Sequence, residues 1–150
     1  MAFACAGLGA AEASGGDFLV GVAEDAPKWA PPPGHPASEA VEARALGVEA
    51  FRITVPWTAG QTQLSATTIG ELNRTVSLLG PEFRLVVAVY GPPKSAPQDD
   101  VSRSQYCAYV RDVVARYPRV NDVAIWNEPN LWFWQPQFNA TDLVSVSIEY

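Results

Sequence analysis

The 150-residue sequence is 48% hydrophobic and 17% charged, a balance that allows one domain with a sizeable core and excludes a disordered chain. Its formal net charge is −6, and ten Lys and Arg are scattered along it, so nucleic acid and anionic membrane surfaces are excluded as partners. No apolar run approaches the roughly 18 residues of a spanning helix, so membrane insertion is not expected either.

The chain opens on small apolar residues, AFACAGLGAAEA, ending in Ala11-Glu12-Ala13, which suits a signal-peptidase site. No Lys or Arg precedes Lys28, so the basic region of a secretory signal is missing; residues 1–13 read as a signal remnant or a disordered leader. A secreted protein is the expectation, with residues 14–150 as its folded part. Cys5 and Cys107 have no nearby partner, so neither a zinc site nor a disulfide framework is expected. His35, in Pro31-Pro32-Pro33-Gly34-His35-Pro36, is the single histidine and reads as a loop residue; no metal and no cofactor are expected.

Four β-branched or apolar runs follow: Phe18 to Ala23, Ala50 to Val55, Arg84 to Tyr90 and Val120 to Trp126. Their starts are 32, 34 and 36 residues apart, the length of a strand, a helix and two connections. Between them lie helical patterns. Ser38 to Leu46 carries apolar Val41 and Leu46 and stops at Gly47. Thr68 with Glu71 reads as a capping box, followed by a face of Ile69, Leu72, Val76 and Leu79 that Gly80-Pro81 ends. Ser102 with Gln105 repeats the device before Tyr106, Tyr109, Val110, Val113, Val114 and Tyr117, the spacing of a buried stripe. Thr141 opens a fourth pattern with Leu143, Val146 and Tyr150.

Strands alternating with helices imply a parallel sheet, either open and doubly wound or closed as a barrel. Gly21-Val22-Ala23-Glu24-Asp25 is acidic where a dinucleotide fold needs a phosphate cradle, which disfavours a Rossmann-like oxidoreductase. Polar and aromatic residues gather where the runs end, at Glu24-Asp25, Trp57, Tyr90-Gly91 and Asn127-Glu128, as chemistry does at a barrel's C-terminal face. The expected fold class is therefore α/β, a (β/α)8 TIM barrel of which these residues are the first four βα units. Eight such units need roughly 270 residues, so the chain reads as the N-terminal half of a catalytic domain.

Glu128 follows an apolar strand, and Pro129 biases its backbone toward an extended conformation. Trp126, Trp132, Phe133 and Trp134 surround it in sequence, an apolar wall of the kind that raises a carboxyl pKa. The string Trp126-Asn127-Glu128-Pro129-Asn130-Leu131 resembles the acid/base segment of glycoside hydrolase clan A and is most similar to family 39, with family 5 close behind. Phe51-Arg52-Ile53-Thr54-Val55-Pro56-Trp57 is similar to the clan's second strand.

That resemblance implies a retaining glycosidase acting on a carbohydrate substrate, with Glu128 as catalytic acid/base. It implies that Arg52 steadies the nucleophile's carboxylate and that Asn127 holds the sugar 2-hydroxyl. Trp57, Tyr90, Trp132 and Trp134 are carried as subsite walls, with ordinary core or rim packing as the alternative for each. Glu24 and Asp25 are open to sugar binding or to a solvated turn. Family 5 members often carry a His after strand three, where this chain has Tyr90-Gly91-Pro92-Pro93. The clan's nucleophile is a Glu at the end of strand seven, which no residue here matches. The parent protein is thus expected to hydrolyse O-glycosyl bonds and the 150 residues alone to be inactive. The competing reading is a non-catalytic carbohydrate-binding module or pseudoenzyme.

Overall fold

Alternation of branched apolar residues with small or polar ones dictates a sheet with two unlike faces, and the computed structural model of the chain has that form. It describes residues 19–30 and 38–127; the remaining residues lie outside the described set. Strand β1 (Gly21–Ala23) leads through a 3-10 turn at Ala26–Lys28 to helix α1 (Ser38–Ala45). Then come β2 (Ala50–Pro56), α2 (Ala66–Leu79), β3 (Arg84–Tyr90), α3 (Asp100–Arg116) and β4 (Val120–Ile125). The strands form one four-stranded sheet in the order β1-β2-β3-β4, and every neighbouring pair is parallel. A doubly wound sheet reverses its strand order partway; this one runs in chain order across all the described strands.

On one face, Phe51, Ile53 and Val55 of β2 and Leu85, Val87 and Val89 of β3 are buried to within 1% of complete exclusion. Each such side chain contributes about 1.5–3 kcal/mol of burial. They share a single core cluster with Ala40 and Ala43 of α1, Leu72 and Leu79 of α2, and Tyr106, Tyr109, Val110 and Val113 of α3. The opposite face carries Ala23, Arg52, Thr54, Val86, Ala88, Tyr90 and Ala124, which the parallel register and the two-residue period place together.

Three of the four expected strand starts, at residues 50, 84 and 120, fall where the strands begin. Helix faces and caps differ more. Val41 and Leu46, expected as the apolar side of α1, are exposed at 61% and 79%, and the core takes Ala40 and Ala43 instead, because small side chains allow the helix to lie close on the sheet. Helix α2 is capped by Ser65, whose hydroxyl accepts from the Thr68 N–H at 3.1 Å, so Thr68 is its third residue, not its cap. Helix α3 is capped by Asp99 in a reciprocal capping box with Ser102. In both helices the first turn precedes the apolar periodicity, because its exposed N–H groups need an acceptor and not a core contact. The expectation for the two cysteines turns on Cys5, which lies outside the described residues. The expected helix from Thr141 lies outside the described residues.

Candidate functional site

The side chain of Arg52, the third residue of β2, reaches Asn127, the second residue beyond β4. Arg52 projects from the face opposite Phe51, Ile53 and Val55, and its Nη2 donates to Asn127 Oδ1 at 2.7 Å. This bond spans β3, about 9.5 Å from β2 to β4 at ordinary strand spacing. Ala88 and Ala124 occupy the intervening face, and their short side chains leave room for a guanidinium to cross. The Asn127 amide oxygen is thus engaged by a cation.

Strand β4 ends in an unusual turn. Trp126 has φ 62°, the left-handed region that a bulky residue rarely adopts. Its N–H donates to the Val89 carbonyl at 3.0 Å and to the Tyr106 hydroxyl at 3.1 Å. The Tyr106 hydroxyl in turn donates to the Val89 carbonyl at 2.6 Å. The left-handed turn breaks the strand's alternation: the Trp126 ring, 3% exposed, lies in the helix-side core against Tyr106 and Trp57, while Asn127 meets Arg52 on the opposite face.

A second polar cluster stands beside Arg52 on the same strand face. Asp25 accepts from the Thr54 N–H at 2.8 Å and from the Thr54 hydroxyl at 2.5 Å. Lys28, 5% exposed, directs Nζ to the Thr54 carbonyl (2.8 Å), the Thr54 hydroxyl oxygen (2.9 Å) and Asp25 (3.1 Å). Burial works to raise the Asp25 pKa, but the Thr54 and Lys28 hydrogen bonds outweigh it and hold the carboxyl below its ordinary value. Arg74 of α2 donates to the Lys28 carbonyl at 2.7 Å and ties the turn to the helix layer. Thr54 stands two residues beyond Arg52, about 6.6 Å along the strand, so this clasp steadies β2 on the C-terminal side of Arg52.

Among the expected site residues, Arg52 and Asn127 are brought together, and Tyr90 is half-buried at the end of β3 on their face. Trp57 is not a subsite wall in this conformation. It is fully buried, edge-on to Tyr106 at 5.2 Å, with its indole N–H donating to the Gln61 carbonyl, because the chain turns toward the helices after Pro56. Trp126 is likewise core and lines no open surface. Asp25 is not a freely solvated turn residue, since Thr54 and Lys28 engage both its oxygens. Glu24 accepts from the Ala26 N–H at 2.9 Å and closes the turn locally. Glu128, Trp132, Trp134 and His35 lie outside the described residues.

Sequence reasoning missed Lys28 and the hydroxyl of Tyr106. An Asp25/Lys28 spacing of three with Pro27 between was a signal for a local ion pair; nothing in the sequence pointed Tyr106 at β4. Among the described residues no group of three or more His, Cys, Asp or Glu is placed to hold a metal ion, and no helix is long and apolar enough to cross a membrane. No protein-family model, curated protein or solved structure matches the chain.

Proposed function

We propose that the chain is the first half of a (β/α)8 barrel that hydrolyses O-glycosyl bonds with retention, Glu128 serving as the acid/base. The observation that carries this reading is the Arg52–Asn127 hydrogen bond at 2.7 Å. It joins the two sequence motifs across the sheet, and Asn127 stands just beyond the C-terminal end of β4, the side on which barrel enzymes place their chemistry. The chain-order parallel sheet, with all three helices packed into one core, supports the barrel.

In the proposed reaction a carboxylate from a later strand attacks the anomeric carbon. The glycosidic C–O bond breaks, and the Glu128 carboxyl proton passes to the leaving oxygen. Glu128, now ionised, takes a proton from water as that water displaces the enzyme carboxylate, so the acid is regenerated. Asn127 donates to the sugar 2-hydroxyl, and Arg52 keeps the Asn127 amide oriented. A secreted location is proposed with this activity.

The test uses the complete gene product and aryl glycosides whose phenols differ in acidity. Glu128→Gln is expected to slow cleavage of poorly activated glycosides by about 10²–10⁴-fold and of highly activated ones far less, since those need no proton. Unchanged rates across the series would refute the acid/base assignment. Saccharide binding without turnover in the wild type would favour the binding-module reading.

A further inference from the structure

We infer that Tyr106 of α3 is a positioning residue for Asn127, its hydroxyl clasping the ends of β3 and β4 so that the left-handed turn at Trp126 sets the Asn127 side chain against Arg52; this rests on the glycosidase reading above. A bulky residue at φ 62° is held only where surrounding contacts over-determine it. Here one phenol supplies several of them. Its hydroxyl accepts from the Trp126 N–H at 3.1 Å and donates to the Val89 carbonyl at 2.6 Å. Its ring lies 6.0 Å from Trp126 and 5.2 Å from Trp57, both at steep interplanar angles. The hydroxyl is thus wedged where the ladder between β3 and β4 ends, bridging both partners of its last bond, the Trp126 N–H and the Val89 carbonyl.

The requirement is chemically narrow. The group must donate and accept at one atom, at the end of a stem long enough to reach from a helix to a strand terminus, and be otherwise apolar. Tyrosine alone among the side chains meets all three conditions. Relaxation of the Trp126 backbone toward the ordinary β region would reverse the sides on which Trp126 and Asn127 lie, drawing Asn127 from Arg52. A displacement of about 1 Å at a substrate-positioning group costs on the order of 10²-fold in rate.

The experiment compares Tyr106→Phe with Tyr109→Phe in the complete gene product. Tyr109 sits on the same helix and donates its hydroxyl to the Pro56 carbonyl at 2.7 Å, so its loss is a matched buried deletion away from the turn. With both variants folded by circular dichroism, Tyr106→Phe is expected to lower kcat about 10- to 100-fold with KM changed far less. Tyr109→Phe should show no such loss. Hydrogen exchange at the Trp126 amide, which needs no activity, should be faster in Tyr106→Phe alone. Kinetics of Tyr106→Phe matching those of Tyr109→Phe in an active enzyme, or unchanged protection of the Trp126 amide, would overturn the inference and leave the glycosidase reading standing. A wild type without glycosidase activity would instead overturn that reading, and the catalytic content of this one with it.

Discussion

Replacing Lys28 with Met tests whether the Asp25–Lys28–Thr54 clasp holds the ends of β1 and β2 together. The ammonium makes three polar contacts between 2.8 and 3.1 Å at 7% side-chain exposure. A hydrogen bond to a charged group contributes about 1.5–3 kcal/mol, and removing one partner of a buried pair leaves the other uncompensated. Methionine relieves the desolvation of the ammonium, and Asp25 keeps both Thr54 donors, so the gross loss is partly offset. The expected net destabilisation is about 2–4 kcal/mol, a large fraction of an ordinary domain's 5–15 kcal/mol. Urea unfolding followed by circular dichroism at neutral pH should show a lower midpoint with an unchanged slope.

The same clasp sets an acid dependence. The Asp25 carboxyl is held below its unfolded value of 3.8, so its contribution is fully present above that pH and is lost as pH falls through the folded value. Wild-type stability should therefore drop below about pH 4, and Asp25→Asn should flatten that drop after an initial loss at neutral pH. A Lys28→Met protein within about 0.5 kcal/mol of wild type, the ordinary range of an indifferent surface change, would refute the clasp.

Other perturbations probe the site's frame. A Cβ at Gly91 would lie 2.0 Å from the Trp57 carbonyl oxygen, so Gly91→Ala must push apart the segments that follow β2 and β3. A loss of about 1–3 kcal/mol in thermal or urea unfolding is expected. A double-mutant cycle of Arg52→Met with Asn127→Ala should return a coupling of about 0.5–3 kcal/mol in unfolding free energy; additivity would mean that the 2.7 Å bond is not made in solution. Ser65→Ala removes the hydroxyl that accepts from the Thr68 N–H and should cost about 1 kcal/mol, read from the urea midpoint.

The strands were readable because alternation is a strong constraint: Phe51, Ile53 and Val55 had to share a face, which put Arg52 on the other, and the structure has them so. The pairing of Arg52 with Asn127 joins residues 75 positions apart, yet both were singled out from motif context. What escaped reading was direction after a strand stops. Trp57 follows Pro56 into the helix layer, and Trp126 reverses its side through a positive φ; neither event leaves a trace in a two-residue period. Ala40 and Ala43 were passed over for Val41 because hydrophobicity ranks size above closeness of packing. Lys28 was obscured because lysine is ordinarily a surface residue, and only its company reveals otherwise.

The burial of Trp57 and Trp126 has an optical consequence. Their rings lie 6.4 Å apart at an interplanar angle of 75°, close enough for their indole transitions to couple. Such a pair produces a paired positive and negative band in circular dichroism that collapses when either ring moves. The protein thus carries an intrinsic chromophore pair directly beneath the end of β4. Formation of the turn that precedes Glu128 can be followed during refolding, in acid or across a variant series, without substrate, label or activity.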